Sequence, residues 1–348
     1  MWGHIVSSRV APDQWRVGFG SHFNAVAPRI PYFESNGMKH ISRREAVQGA
    51  LGGSFAFASN AQPADKSSHG TARDHFWIFT VNAGMNDDYL AQGGVMGGSR
   101  MTPAEGAFFL GVPNLILVRE NNSPLPPARQ KWRAKTSFEQ FAISFLPLKR
   151  VVWSVVGSGG AIHGDEMSPV LDLAKNYPNI TGVYLDDFFR SDGPSKSLDQ
   201  LKKDRQRLQV DGRRLESWLT LYTQDFDPNH AGNRTKGLPL QSYLDLFDVI
   251  TMWTWNSNDL HGLEQNLERL EKATPNSKRA LGCYLWDFFN RKPVPLDLME
   301  KQCNAGLNWM KAGRIQEMIF LANTVLDVGL EVATWTREWI ADNGNTAV

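Results

Sequence analysis

Residues 180–189, Ile-Thr-Gly-Val-Tyr-Leu-Asp-Asp-Phe-Phe, run apolar and β-branched and then stop on two adjacent aspartates flanked by aromatics. A short apolar run of this kind reads as a buried strand. A strand that ends in paired carboxylates is a natural seat for acid–base chemistry. The pattern nearly repeats further on, where Gly182-Val183-Tyr184-Leu185-Asp186-Asp187-Phe188-Phe189 returns as Gly282-Cys283-Tyr284-Leu285-Trp286-Asp287-Phe288-Phe289. Two strands with one ending imply two places on one rim.

Working outward, short apolar runs rich in β-branched and aromatic residues recur at His75–Ala83, Asn114–Glu120, Arg150–Gly157, Ile180–Phe189, Ser217–Thr223, Val249–Ser257, Arg279–Phe289 and Glu317–Thr324. All have strand length. Between them lie stretches with helical spacing. Leu260, Leu263, Leu267 and Leu270 share one face with Glu264, Glu268 and Arg269 outside, and Leu201–Val210, Leu296–Met310 and Leu330–Ile340 follow the same plan. Strands alternating with helices over residues 70–348 predict a (β/α)8 TIM barrel in the α/β class. A doubly wound open sheet shares the rhythm but more often carries a Gly-rich turn after its first strand, which Asn82-Ala83-Gly84-Met85-Asn86 does not supply.

Barrel chemistry gathers at the carboxyl ends of the strands. Those endings offer Asn82; Glu120 and Asn121; Trp153 with the Gly157-Ser158-Gly159-Gly160 loop; Asp186 and Asp187; Tyr222 and Gln224; Trp253, Trp255 and Asn256; Trp286 and Asp287; Asn323 and Thr324. Carboxylates, amides, hydroxyls and broad indole faces suit a carbohydrate, whose CH faces stack on aromatics while its hydroxyls meet Asp, Asn and Gln. The predicted contacts are Trp253, Trp255, Trp286, Tyr222, Asn256, Asn323, Glu120 and Trp153, with Asp186, Asp187 and Asp287 as the working acids. Core packing is the bland alternative for many of the aromatics; it is harder to invoke for aspartates, which are almost never fully buried without a partner. Side chains two apart share a face. Sending Val183 and Leu185 outward points Tyr184 and Asp186 inward, and likewise Tyr284 and Trp286. Alternation can break at a strand's last residue, so Asp187 and Asp287 remain candidates beside Asp186.

Barrel rhythm with strand-end carboxylates resembles the (β/α)8 glycoside hydrolases. The resemblance covers residues 70–348 as architecture and only a few residues as motif. One large group of those enzymes keeps its acid/base after the fourth strand and its nucleophile after the seventh, the places held here by Asp186 or Asp187 and by Asp287. That group carries Asn-Glu and Glu there, so aspartate in both is a departure. The amylase-like Gly-x-Arg-x-Asp spacing is met by Gly182–Asp186 with Tyr184 in place of the arginine, and the alternating acids of chitinase-like strands are missing. The resemblance implies a two-carboxylate hydrolysis whose carboxyl separation, about 5–5.5 Å for retention or about 6.5–9.5 Å for inversion, sets the stereochemistry. A carbohydrate-binding barrel without catalysis, or a sugar lyase or isomerase on the same fold, is the alternative.

Other chemistries find less support. No strand end bears the lysine that a Schiff-base enzyme needs. The eight histidines are scattered, with His163, Asp165 and Glu166 the one local cluster, and no metal or other cofactor is expected. The Gly-rich loop lacks the Lys-Ser/Thr of a phosphate-binding P-loop. A formal charge of +1 gives no bulk attraction for nucleic acid or anionic membrane. Cys283 and Cys303, the only two cysteines, read as buried free thiols.

Ahead of the barrel, residues 1–37 show no periodicity and read as an upstream segment. Residues 38–61 follow the grammar of an export signal: Ser42-Arg43-Arg44, a modest apolar stretch Ala46–Ala58, then Ser59-Asn60-Ala61. The twin arginine resembles a bacterial Tat signal. Cleavage near Ala61 would deliver the barrel to the periplasm or the medium. The apolar stretch is too short to span a bilayer, so no membrane insertion of the mature chain is expected.

Overall fold

Each of the eight apolar runs forms a strand, and the eight close on themselves. The computed structural model describes residues 70–119, 138–162, 164–227 and 229–348. The predicted upstream segment and export signal lie outside the described residues, as do Glu120 and His163. The barrel strands are β1 (Phe76–Thr80), β2 (Asn114–Arg119), β3 (Arg150–Gly157), β4 (Ile180–Leu185), β5 (Glu216–Tyr222), β6 (Val249–Trp253), β7 (Lys278–Tyr284) and β8 (Glu317–Leu321). All neighbours pair in parallel in sequence order, and β1 closes on β8 with Phe79 opposite Leu321. This is a (β/α)8 TIM barrel.

Local chemistry sets the helices between strands. Thr102 caps Pro103–Leu110 in a reciprocal box with Glu105, with proline at the first helical position, and Ser197 with Gln200 does the same for Leu198–Arg207. Helix Leu263–Ala273 buries Leu263, Leu267 and Leu270. Among the described residues, no helix is long and apolar enough to cross a membrane.

Inside the barrel, side chains fill the space in layers. At the amino end, the rings of Trp77 and Trp218 meet with centroids 4.9 Å apart, and the Arg150 guanidinium lies 4.5 Å over Trp77. Glu317 accepts from Trp77 Nε1 at 2.7 Å and from both terminal nitrogens of Arg150, at 2.8 and 3.0 Å. Above this plug, Phe79 packs edge-on against Tyr184 and Trp253. The repeated glycines serve these rings. A Cβ on Gly182 would lie 2.8 Å from the Glu216 carbonyl oxygen and 3.2 Å from Trp218, and one on Gly282 2.2 Å from Trp253. Gly282 therefore clears the space that a neighbouring strand's indole occupies, and Gly182 the space of both an indole and the backbone beside it.

Candidate active site

Above the aromatic layer a cavity of about 300 Å³ is lined by Phe79, Val118, Tyr284, Leu321 and other residues at the carboxyl ends of the strands. Among the described residues, Asp186 and Asp187 are the only carboxylates lining it. Asp186 continues the inward set of β4 and is buried. Asp187 breaks that alternation: its φ of 43° is left-handed, and so it too faces the cavity instead of the helix layer. The Gly157–Gly160 loop supports this turn, since Gly160 packs so closely on the Asp187 carbonyl that a Cβ would lie 2.4 Å from it.

A chain of hydrogen bonds runs from Trp253 through Tyr184 and Thr220 to Asp186. Thr220 Oγ1 lies 2.9 Å from both Tyr184 Oη and Asp186 Oδ1, and Trp253 Nε1 donates to Tyr184 Oη at 3.3 Å. A hydroxyl has one proton to give. Thr220 therefore gives its proton to only one of these two oxygens, while the indole feeds the same chain from Trp253. Burial first, and then the neighbouring charge of Asp187, push the Asp186 carboxyl well above the ordinary range; the Thr220 bond, the Asp187 backbone and Arg234 oppose this without reversing it. Asp187 Oδ1 accepts from Tyr222 Oη at 2.8 Å. Burial also raises the phenols of Tyr184, Tyr222 and Tyr284, keeping them as neutral donors.

One wall is aromatic. Trp255 stacks on Phe288 with centroids 5.9 Å apart and an interplanar angle of 19°, and Tyr222 and Tyr284 each meet Trp255 edge-on. Tyr89 meets the far side of the group through Phe288. Asn86, Val81 and Gly159 complete the lining with Ala322.

Of the residues expected at the rim, the structure brings Asp186, Asp187, Tyr222, Trp253 and Trp255 together. Glu120 lies outside the described residues, and the remaining expected residues take other places. Trp153 points outward into a nest of Phe138, Phe141 and Phe145, because the inward set of β3 is the one that carries Arg150. Trp286 is fully buried, with Gly93 packed against its ring, and does not line the cavity. Asp287 is buried in a loop clasp, accepting from the Ser257 backbone and hydroxyl at 3.0 and 2.5 Å and from the Asn290 backbone and side chain, both at 2.8 Å. Burial works to raise its carboxyl, but those four bonds outweigh it and hold the group below the ordinary range. Asn256 accepts from the Asn258 backbone and from Asn290. Asn323 ties β1 to β8 through both backbone groups of Val81. The expected pairing of Asp287 with the β4 acids is therefore not assembled. Asp165, held by Arg207 and Ser168, does not line the cavity either.

Sequence reasoning missed Phe288, Tyr89, Asn86 and the polar support around Tyr222. Asp225, fully buried, accepts from the Tyr222 backbone at 3.2 Å and takes both arms of Arg234, Nε at 2.9 Å and Nη2 at 2.6 Å. The Arg234 guanidinium lies 4.7 Å over the Tyr222 ring. Asn233-Arg234-Thr235 shows in sequence only as a formal glycosylation triplet. Among the described residues, no group of three or more His, Cys, Asp or Glu is placed to hold a metal ion.

No protein-family model matches this chain, and no curated protein matches its sequence. Among solved structures it is similar to a protein of Bacteroides thetaiotaomicron described as a candidate α-L-fucosidase, with 9% identity, TM-score 0.49, and 82% of this chain and 98% of that one covered. It is also similar to tryptophan synthase from M. tuberculosis, with 9% identity, TM-score 0.41, and 79% and 94% covered. A third likeness is to a β-D-glucuronidase of Dictyoglomus thermophilum, with 8% identity, TM-score 0.43, and 78% of this chain covering 51% of that one.

Proposed function

We propose that the barrel hydrolyses a glycosidic bond, with Asp186 as proton donor and Asp187 as the carboxylate beside it. The observation that carries this reading is the adjacent pair itself: two aspartates of one strand end open on one cavity, one buried with its carboxyl raised well above the ordinary range, the other turned onto the rim and hydrogen-bonded by Tyr222. Leaving-group departure needs a protonated carboxyl, and a negative charge nearby favours the oxocarbenium-like transition state. The wall of Trp255, Phe288, Tyr284 and Tyr222 offers a sugar ring apolar faces to stack on.

The two carboxyls come from one strand end, so they share one side of the cavity, and no described residue supplies an acid opposite them. That favours a second reading, a carbohydrate-binding barrel without hydrolysis. Release of reducing ends from a panel of oligosaccharides, run beside calorimetric binding of the same panel, separates the two. Hydrolysis that falls about 10²–10⁴-fold in Asp186→Asn and in Asp187→Asn, with binding kept, supports the enzyme. Binding with no turnover of any sugar supports the second reading, and absence of both removes the carbohydrate assignment.

Export belongs to the same proposal and rests on Arg43-Arg44 and Ser59-Asn60-Ala61. In a bacterial host, Arg43→Lys with Arg44→Lys should leave full-length precursor in the cytoplasm. A secreted protein that retains its first 61 residues would refute the signal.

A further inference from the structure

We propose that Asp225 and Arg234 are positioning residues that lock the Tyr222 ring so that its hydroxyl stays on Asp187. Nothing in the sequence pattern assigns them a role, and neither lines the cavity. Their geometry is closed on all sides. Asp225 sits one turn beyond β5, where one carboxylate oxygen accepts from the Tyr222 backbone and both take the fork of Arg234. The Asp225 carbonyl accepts from Thr235 Oγ1 at 2.5 Å, which pins the next residue after Arg234 to the same turn. The loop is shaped for this delivery: Asn233 accepts from Thr235 and donates to the Asp227 carbonyl.

Arg234 acts in two directions at once. Its edge pairs with Asp225 and its face covers the Tyr222 ring, whose hydroxyl reaches Asp187. Only a planar guanidinium can do both, since an ammonium has neither fork nor face. Trp255 meets the same ring edge-on, 5.8 Å between centroids. Tyr222 is thus held by a cation on its face, an indole at its edge and a carboxylate at its backbone.

Stability alone is a weak reason for such a pair. Asp225 is fully buried and Arg234 only 22% exposed, and removing both charges from water costs about as much as their attraction returns. What the pair adds is a fixed ring orientation and a positive charge behind the phenol, which makes its hydroxyl a better donor to Asp187. The groups that bear on the aspartate pair are Tyr184 of β4, Tyr222 of β5, Tyr284 of β7 and Arg234 of the loop after β5.

The role rests on the hydrolytic reading for its meaning but has a test of its own. The probe is the pH titration of aspartate carboxyl carbons by NMR in the free 348-residue chain, with Asp186→Asn and Asp187→Asn used for assignment. Removing the phenol hydroxyl in Tyr222→Phe, which leaves the Asp187 charge bearing more fully on Asp186, or the Arg234 charge in Arg234→Met, should move the Asp186 titration to higher pH. Arg234→Lys should restore part of the shift, because it keeps the charge and loses the fork. If Arg234→Met does not fold, Arg234→Lys and Tyr222→Phe carry the comparison. With a hydrolysed sugar in hand, Arg234→Met should lower kcat by about a hundredfold with KM little changed. Unmoved titrations in folded Tyr222→Phe and Arg234 variants overturn the positioning role even if the wild type hydrolyses sugars. A wild type that cleaves none defeats the hydrolytic reading, while the titration still decides the positioning role.

Discussion

Asp186 shows at the residue scale what the cavity costs. The group is buried beside Asp187, and its carboxyl is held well above the ordinary range. A carboxyl whose folded value is raised contributes stability that is full below its unfolded value and is lost as pH rises through the folded one. Wild-type protein should therefore lose stability across that window, where burial opposes the charged form. Asparagine copies the neutral carboxyl and can still accept from Thr220. Asp186→Asn should match wild type in acid and exceed it near neutral pH, with a flatter profile, as measured by thermal unfolding from pH 4 to 8. A variant less stable than wild type at neutral pH would mean that the carboxylate form is the one the fold prefers. The inward aim of Asp186 is readable from strand alternation with Tyr184. The entry of Asp187 is not, because it depends on a left-handed φ and on Tyr222, which is remote in sequence. Trp153 misleads for another reason: its residue type suits a sugar, but its parity on β3 sends it outward, opposite to Arg150.

At the scale of elements, the near-repeat carries true information about packing and false information about chemistry. Gly182 with Tyr184, and Gly282 with Tyr284, take equivalent inward positions on β4 and β7, each glycine packed against the adjacent strand and its indole. The chain diverges once it leaves the two strands. After β4 it turns at Asp186-Asp187 before pairing Phe189–Arg190 with Gly193–Pro194. After β7 an antiparallel ribbon begins at Trp286, the residue aligned with Asp186, and pairs Trp286–Asp287 with Lys292–Pro293. Asp287 is thus drawn into a ribbon and its loop clasp, a difference set by partners distant from the repeat itself. Apolar character also outlasts the strands, so that the run Val249–Ser257 contains a strand of only Val249–Trp253. Gly282→Ala should be costly, since its Cβ would lie 2.2 Å from the Trp253 ring, far inside van der Waals contact. A loss of about 1–3 kcal/mol or more is expected in urea unfolding. Combining it with Trp253→Leu should recover part of that loss, giving a favourable coupling in the double-mutant cycle. Additive losses would show that backbone freedom, and not the indole, is what the glycine supplies.

For the whole molecule, the two ends of the barrel are built for different work. The carboxyl end leaves an aromatic cavity; the amino end is closed by Glu317 of β8, Arg150 of β3 and Trp77 of β1, which tie β3 to the adjoining pair of β1 and β8 through the barrel interior. The count of eight runs and their alternation with helices make the closed barrel legible, since periodicity and length are local properties. A charged plug is a property of closure and stays invisible until residues far apart in the chain meet. Burial works to raise the Glu317 carboxyl, but His75 with its Nδ1 3.6 Å away, the hydrogen bonds from Arg150 and Trp77, and the Arg150 charge hold it below the ordinary range. A carboxyl lowered in this way contributes stability that is present above its unfolded value and lost as pH falls through the folded one, so this plug adds to acid sensitivity. Glu317→Gln leaves Arg150 facing a neutral amide, with the Asp74 carbonyl and Asn114 as its remaining acceptors. Stranding a buried charge costs about 3–5 kcal/mol, and the 28% exposure of Arg150 puts the expected loss near the lower end. Urea unfolding at pH 7 should show that loss, and it should shrink as wild type and variant are compared at progressively lower pH. Because the plug lies at the end of the barrel opposite the cavity, ligand binding by the folded variant should be unchanged. A Glu317→Gln protein as stable as wild type would mean that the barrel closes by its aromatic layers alone, with the ion pair contributing nothing net.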